Sequence, residues 1–209
     1  MINYELEATF WSDNADKGTV YRNDTKLILN GNNQGSGIVL MLNPGKCLPK
    51  GGKEVIKERQ KFSTIQGNLD KDPTQGIVVS CVTYFYGTIK LPDSIFIVNL
   101  CDKVEANSEN LSEEDFGKKD YNKIIEELWD LMKKNQIKWI WVAFEKMSKD
   151  KPYLDDLKNN VLKELKSNQS FKDKVVGECA YYHHPLYINC NSKLKNNLKN
   201  EIELKLQNS

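Results

Sequence analysis

The sequence predicts an α/β protein: a three-layer α/β/α domain around a central, mainly parallel sheet of about four strands. Three observations carry that reading. Four short apolar runs, over 37–43, 94–100, 137–144 and 175–182, hold little charge and stop at Asn, Glu or His-Pro. Runs of this length read as strands buried on both faces. Between them lie longer segments of helical period, such as Tyr121 to Asn135, with Ile124, Ile125, Leu128, Leu131 and Met132 on one side. Strands that alternate with such helices are joined by right-handed crossovers, which makes them parallel.

Taken in order, residues 4–12 alternate weakly and suit a strand. Residues 18–30 read as a hairpin, with Thr19-Val20-Tyr21 and Leu27-Ile28-Leu29 flanking a polar turn at Asn23-Asp24. The run Ile38-Val39-Leu40-Met41-Leu42-Asn43-Pro44-Gly45 follows, a buried strand closed by Pro and Gly. A short helical patch is expected near 53–62. Asp72-Pro73-Thr74-Gln75 reads as a helix start, with Asp72 as N-cap, Pro73 at the first helical position and Gln75 completing a capping-box arrangement. Residues 102–118 read as acidic loop, 152–167 and 193–206 as helices. The chain is organised as one domain: 1–36 an N-terminal β extension, 37–190 the core and 191–209 a C-terminal helix.

Composition excludes several classes. The 209 residues suffice for a real core, and the formal charge is only +1, with Arg22 and Arg59 the two arginines among thirty basic residues. Strong nucleic-acid binding rests on clustered Lys and Arg, so DNA binding is expected to be weak or absent and strongly salt-dependent. The five cysteines form no CxxC pair and the two histidines are adjacent, which disfavours a zinc site; buried thiols in a reducing cytoplasm are the expectation. No apolar stretch reaches membrane-spanning length. The protein is expected to be cytoplasmic and monomeric, without a cofactor or metal.

Parallel strands present their C-terminal ends on one rim, which is where ligands of open α/β sheets bind. Asn43-Pro44-Gly45, Asn99-Leu100, Phe144-Glu145 and His183-His184-Pro185 would meet there. Each has a structural alternative. An Asn at a strand end also caps turns, a His before Pro is often structural, and Glu145 also suits a solvated loop.

The same residues resemble the uracil-DNA glycosylase superfamily, and more closely a bacterial and phage domain family of unknown function placed with it. Met41-Leu42-Asn43-Pro44-Gly45 is similar to the G-I/M-N-P-G segment of mismatch-specific and single-strand-selective uracil glycosylases. Asp72-Pro73-Thr74 matches a D-P-T helix start. Phe96-Ile97-Val98-Asn99-Leu100 resembles the strand whose Asn reads the base. His183-His184-Pro185-Leu186-Tyr187 is similar to an R-H-P-L-Y segment and, more loosely, to the H-P-S-P segment of the glycosylases.

What the resemblance implies is a base flipped into a pocket at the strand ends. Asn99 would read a pyrimidine edge, with Leu42, Gly45 and a stacking ring, Phe62, around the base. Asn43 would position a water, and His184 would stabilise charge developing on the base. Pro44, Lys46, Pro185 and Leu186 would form the face toward DNA or a partner. Two departures weaken catalysis. Asn43 stands where the fastest members carry Asp, and an amide accepts no proton. Leu186 replaces the Ser-Pro loop that grips phosphates. The resemblance therefore implies a degenerate glycosylase with little or no base excision. It would act as a binding module for a small acidic DNA-mimicking inhibitor or a replication or repair partner. The alternative is an active monofunctional DNA glycosylase built on Asn43, Asn99 and His184.

Overall fold

β-Strands with one polar and one apolar face need only one covered side, and two such strands open this chain. In the computed structural model, which describes residues 4–12, 18–29, 35–49, 51–56, 59–63, 73–87, 90–144, 151–177 and 184–207, β1 (Glu5–Ser12) buries Leu6, Ala8 and Phe10, while the residues between them stay partly exposed. β2 (Val20–Ile28) pairs antiparallel to it. The later strands are β3 (Ser36–Met41), β4 (Gln60–Ser63), β5 (Ser94–Asn99), β6 (Ile137–Val142) and β7 (Val175–Val176).

All seven strands form one mixed sheet in the order β4-β1-β2-β5-β3-β6-β7. β5, β3, β6 and β7 run parallel. β2 adds antiparallel to the outer edge of β5, and β1 and β4 continue from it. The α/β class therefore stands, but the expected mainly parallel sheet of about four strands is corrected. Two strands of the 1–36 segment, β1 and β2, continue the sheet itself, because alternating half-buried strands cover an edge that β5 would otherwise expose.

Seven helices flank the sheet among the described residues: α1 (Pro73–Tyr86), α2 (Glu113–Gly117), α3 (Tyr121–Lys134), α4 (Pro152–Ser167), α5 (Gln169–Lys172), α6 (Pro185–Cys190) and α7 (Ser192–Gln207). The two-residue period of β3 divides the core. Val39 and Met41 pack with Val78, Val82 and Phe85 of α1, Ile188 of α6 and Leu198 and Ile202 of α7. Ile38 and Leu40 pack on the other face with Ile124 and Leu128 of α3 and Leu154, Val161 and Leu165 of α4. Helices on both faces explain why every residue of β3 is buried.

Further expectations are corrected locally. Asn23 and Asp24 lie inside β2, not in a turn; Asp24 has φ 50° and the β1–β2 register slips between Glu7 and Thr9, a one-residue bulge. The 53–62 patch is a 3-10 turn, Gly52–Val55, followed by β4. The 102–118 loop contains a 3-10 turn, Ser108–Asn110, and α2, which is capped by a reciprocal pair: Ser112 Oγ accepts from Asp115 N, and Ser112 N donates to the Asp115 carboxylate. Of the fourth expected strand, Val175–Val176 pairs with β6, and residues 178–183 lie outside the described part. Cys47, Cys81 and Cys101 are buried as expected, but Cys190 is exposed. No helix of the described residues is long and apolar enough to cross a membrane.

Candidate functional site

The ends of β3 and β5 lie side by side. Met41 and Asn99 are register partners, and the pairing continues as Leu100 N donates to Met41 O at 3.0 Å and Cys101 N to Leu42 O at 2.9 Å. The two loops that follow are stitched by Arg22 of β2. Its side chain, 2% exposed, donates through Nη2 to the Pro44 carbonyl, and its backbone N–H donates to Asp102 O at 2.7 Å. Asp102 in turn pairs its carboxylate with Lys119, which also bonds Glu127. Burial pushes the pKa values of Asp102 and Glu127 up; burial opposes the Lys119 charge, but its two carboxylate partners outweigh it and hold that pKa above the ordinary value.

Between these loops and the starts of α1 and α6 lies a cavity of about 200 Å³. Met41 and Ile97 give it apolar wall. Asn43, Pro44, Gly45, Asn99, His184 and Leu186, all singled out in the sequence, line it together. Gly45 adopts φ 72°, a conformation that bends the chain away at the rim.

Asn99 is 1% exposed, and neither its Nδ2 nor its Oδ1 has a hydrogen-bond partner. Gln75 of α1 also lines the cavity, is 2% exposed and has both side-chain polar atoms equally unmatched. It does not complete a capping box; Asp72 lies outside the described residues. A buried polar group left without a partner costs about 1–3 kcal/mol. Two whole carboxamides in that state therefore point to hydrogen bonds made with whatever fills the cavity, water or ligand.

The other polar groups are oriented. Asn43 Nδ2 donates to the Glu105 carbonyl at 2.7 Å, which leaves Oδ1 as the acceptor of that amide. Glu105 Oε1 accepts from Asn107 N at 3.0 Å and from Asn110 Nδ2 at 3.3 Å. His184 is buried, caps α6 and accepts from Leu186 N through Nδ1 at 3.4 Å. With Nδ1 as acceptor, the neutral ring carries its proton on Nε2 and is a donor there. Arg22 is the one Lys or Arg, and Glu105 the one carboxylate residue, among the described residues that line the cavity. Burial pushes the Cys81 and Cys101 thiols up to about 11 and about 12, so neither supplies a thiolate at neutral pH. Among the described residues no cluster of three His, Cys, Asp or Glu is arranged to hold a metal ion.

Not every expected residue gathers here. Leu42 is 2% exposed and packs in the opposite core, toward α3 and α4. The strand period sends Met41 and Asn43 to the cavity and Leu42 away from it. Phe62 falls on edge strand β4, three strands from β5, roughly 14 Å across the sheet at the usual spacing; its side chain lies outside the described part, as do Glu145 and His183. Lys46 is exposed, and Pro185 is buried at the first position of α6. Sequence reasoning missed Arg22, Gln75 and Glu105. The rarity of arginine was a visible signal for the first. Gln75 was read as a cap, and Glu105 is one acid in an acidic loop.

No family model, curated protein or solved structure matches the chain.

Proposed function

We propose that this is a uracil-DNA glycosylase-like protein that keeps a base-binding pocket and performs little or no base excision. The observation that carries the reading is Asn99: a fully buried amide, unmatched in the protein, at the end of a central strand and on the wall of a base-sized cavity. One carboxamide offers an N–H donor beside a C=O acceptor, the complement of the C=O and N–H of a pyrimidine imide edge. His184 lines the same cavity and is held in place by its Nδ1 contact with Leu186 N.

The excision machinery is thin by comparison. Asn43 orients a water through Oδ1 but takes no proton from it. The cavity has a single Arg, and that side chain is committed to Pro44 O. Pro44 and the exposed Leu186 line the cavity, and Lys46, next in the chain to Gly45, is exposed; this face would meet a partner that presents an acidic, DNA-like surface, such as a small DNA-mimicking inhibitor or a replication or repair protein. The second reading is an active glycosylase in which Asn43 alone orients the water, since Glu105 meets Asn43 through its backbone carbonyl and turns its carboxylate to Asn107 and Asn110.

Incubation with uracil-containing single- and double-stranded oligonucleotides, followed by alkali, decides between them. The proposed reading expects no cleavage above background. Robust cleavage that vanishes in Asn43→Ala overturns it in favour of the active enzyme.

A further inference from the structure

Of the carboxamides that line the cavity, two are wholly unmatched, one more than a pyrimidine imide edge requires. Asn99 suffices for one C=O and N–H pair. Gln75, contributed by the first turn of α1, is as buried as Asn99, lines the same cavity, and leaves both Nε2 and Oε1 without a partner. Both residues line the same small space, and neither carboxamide is matched within the protein. A ligand that satisfies both carries two lactams, each an N–H next to a C=O.

We infer that Gln75 is a second base-reading residue and that the cavity takes a detached dioxo base, a ring with two free lactams. The inference rests on the base-pocket reading above and sharpens its ligand. In a nucleotide the pyrimidine N1 is bonded to sugar and offers no hydrogen. Only the free base presents N1–H beside C2=O as well as N3–H beside C4=O. The C2 oxygen beside N1–H accepts from Gln75 Nε2. Size agrees: about 200 Å³ lies below the roughly 300–1,000 Å³ of pockets for larger ligands and suits a ring without sugar and phosphate. Free uracil and free xanthine both carry the required pair of lactams.

Calorimetric titration of the full chain with uracil, xanthine, hypoxanthine, 1-methyluracil and 3-methyluracil tests this, with Gln75→Met and Asn99→Leu beside the wild type. Wild type is expected to bind a two-lactam ring, and the stronger of uracil and xanthine identifies the source. Each methylation of uracil, and the single lactam of hypoxanthine, weakens binding about tenfold, the effect of leaving one buried amide unmatched. In Gln75→Met the penalty for 1-methylation disappears while that for 3-methylation stays; Asn99→Leu shows the converse. Gln75→Met also melts about 2–4 °C higher without ligand, since an unmatched buried amide is gone. Equal wild-type affinity for uracil and 1-methyluracil, with 3-methyluracil weaker, leaves the base pocket standing and overturns the role of Gln75; that comparison needs no variant. A lower melting temperature of Gln75→Met with an unchanged ligand panel overturns it as well. Failure of every ring to bind wild type overturns the base pocket itself, and this inference with it.

Discussion

Single residues decide this site through what they leave unmatched and what they tie down. Asn99 and Gln75 are buried without partners, whereas Asn43, Arg22 and His184 are each held by a backbone group. The loop between them is anchored by Asp115, which accepts from Ser112 N at 2.9 Å and from Lys103 Nζ at 3.0 and 3.1 Å. Burial alone would raise its pKa, but the Ser112 N–H and the Lys103 ammonium outweigh it and hold the carboxyl below its ordinary value. A carboxyl with a lowered folded pKa stabilises above its unfolded value, about 3.9, and loses that contribution as pH falls through the folded one. Asp115→Asn should therefore cost roughly 1 kcal/mol at neutral pH, the scale of a helix cap, with the gap to wild type closing below about pH 4. Urea unfolding of both proteins across pH 3–7 checks it; a gap that widens on acidification contradicts the assignment.

At the scale of elements, the close pairing of β3 with β6 sets where the site stands. Gly37 faces Trp139 across that pair, and a Cβ on Gly37 would meet the indole ring at 2.1 Å. Trp139 is fully buried and its Nε1 donates to Tyr86 of α1 at 2.8 Å, so the ring has nowhere to retreat. Gly37→Ala is expected to lose about 3 kcal/mol by overpacking, while Gly117→Ala in α2, with nothing within 4 Å of the added methyl, changes stability little. Chemical denaturation of the pair tests this, and equal midpoints contradict the packing account. The apolar runs of β3, β5 and β6 and the amphipathic period of α3 were legible because burial on both faces, or on one stripe, writes itself into consecutive residues. The capping box of α2 was present in Ser112 and Asp115 but hidden inside an acidic stretch. β4 was read as helix because four edge residues carry too little pattern to show a period.

For the molecule as a whole, the rim was legible and the sheet was not. Asn43 and Asn99 belong to one cavity because parallel strands end on one side, a consequence of crossover geometry that sequence alone supplies, and His184 joins them from the start of α6. The antiparallel half depends on which edge β2 joins, a long-range choice that leaves no local mark. Gln75 and Glu105 were invisible as site residues because they reach the cavity from α1 and a loop, not from strand ends. The central claim is that Asn99 reads a base inside this cavity. Its most direct test is an amide nitrogen–proton correlation spectrum of the labelled protein titrated with uracil, with the Asn99 side-chain signal assigned by its loss in Asn99→Leu. The account predicts that this buried Nδ2 pair shifts progressively and saturates as uracil is added, in step with the signals of Met41, Gln75 and Ile97. An Asn99 signal that stays fixed at high uracil, with changes only on exposed residues, would contradict it.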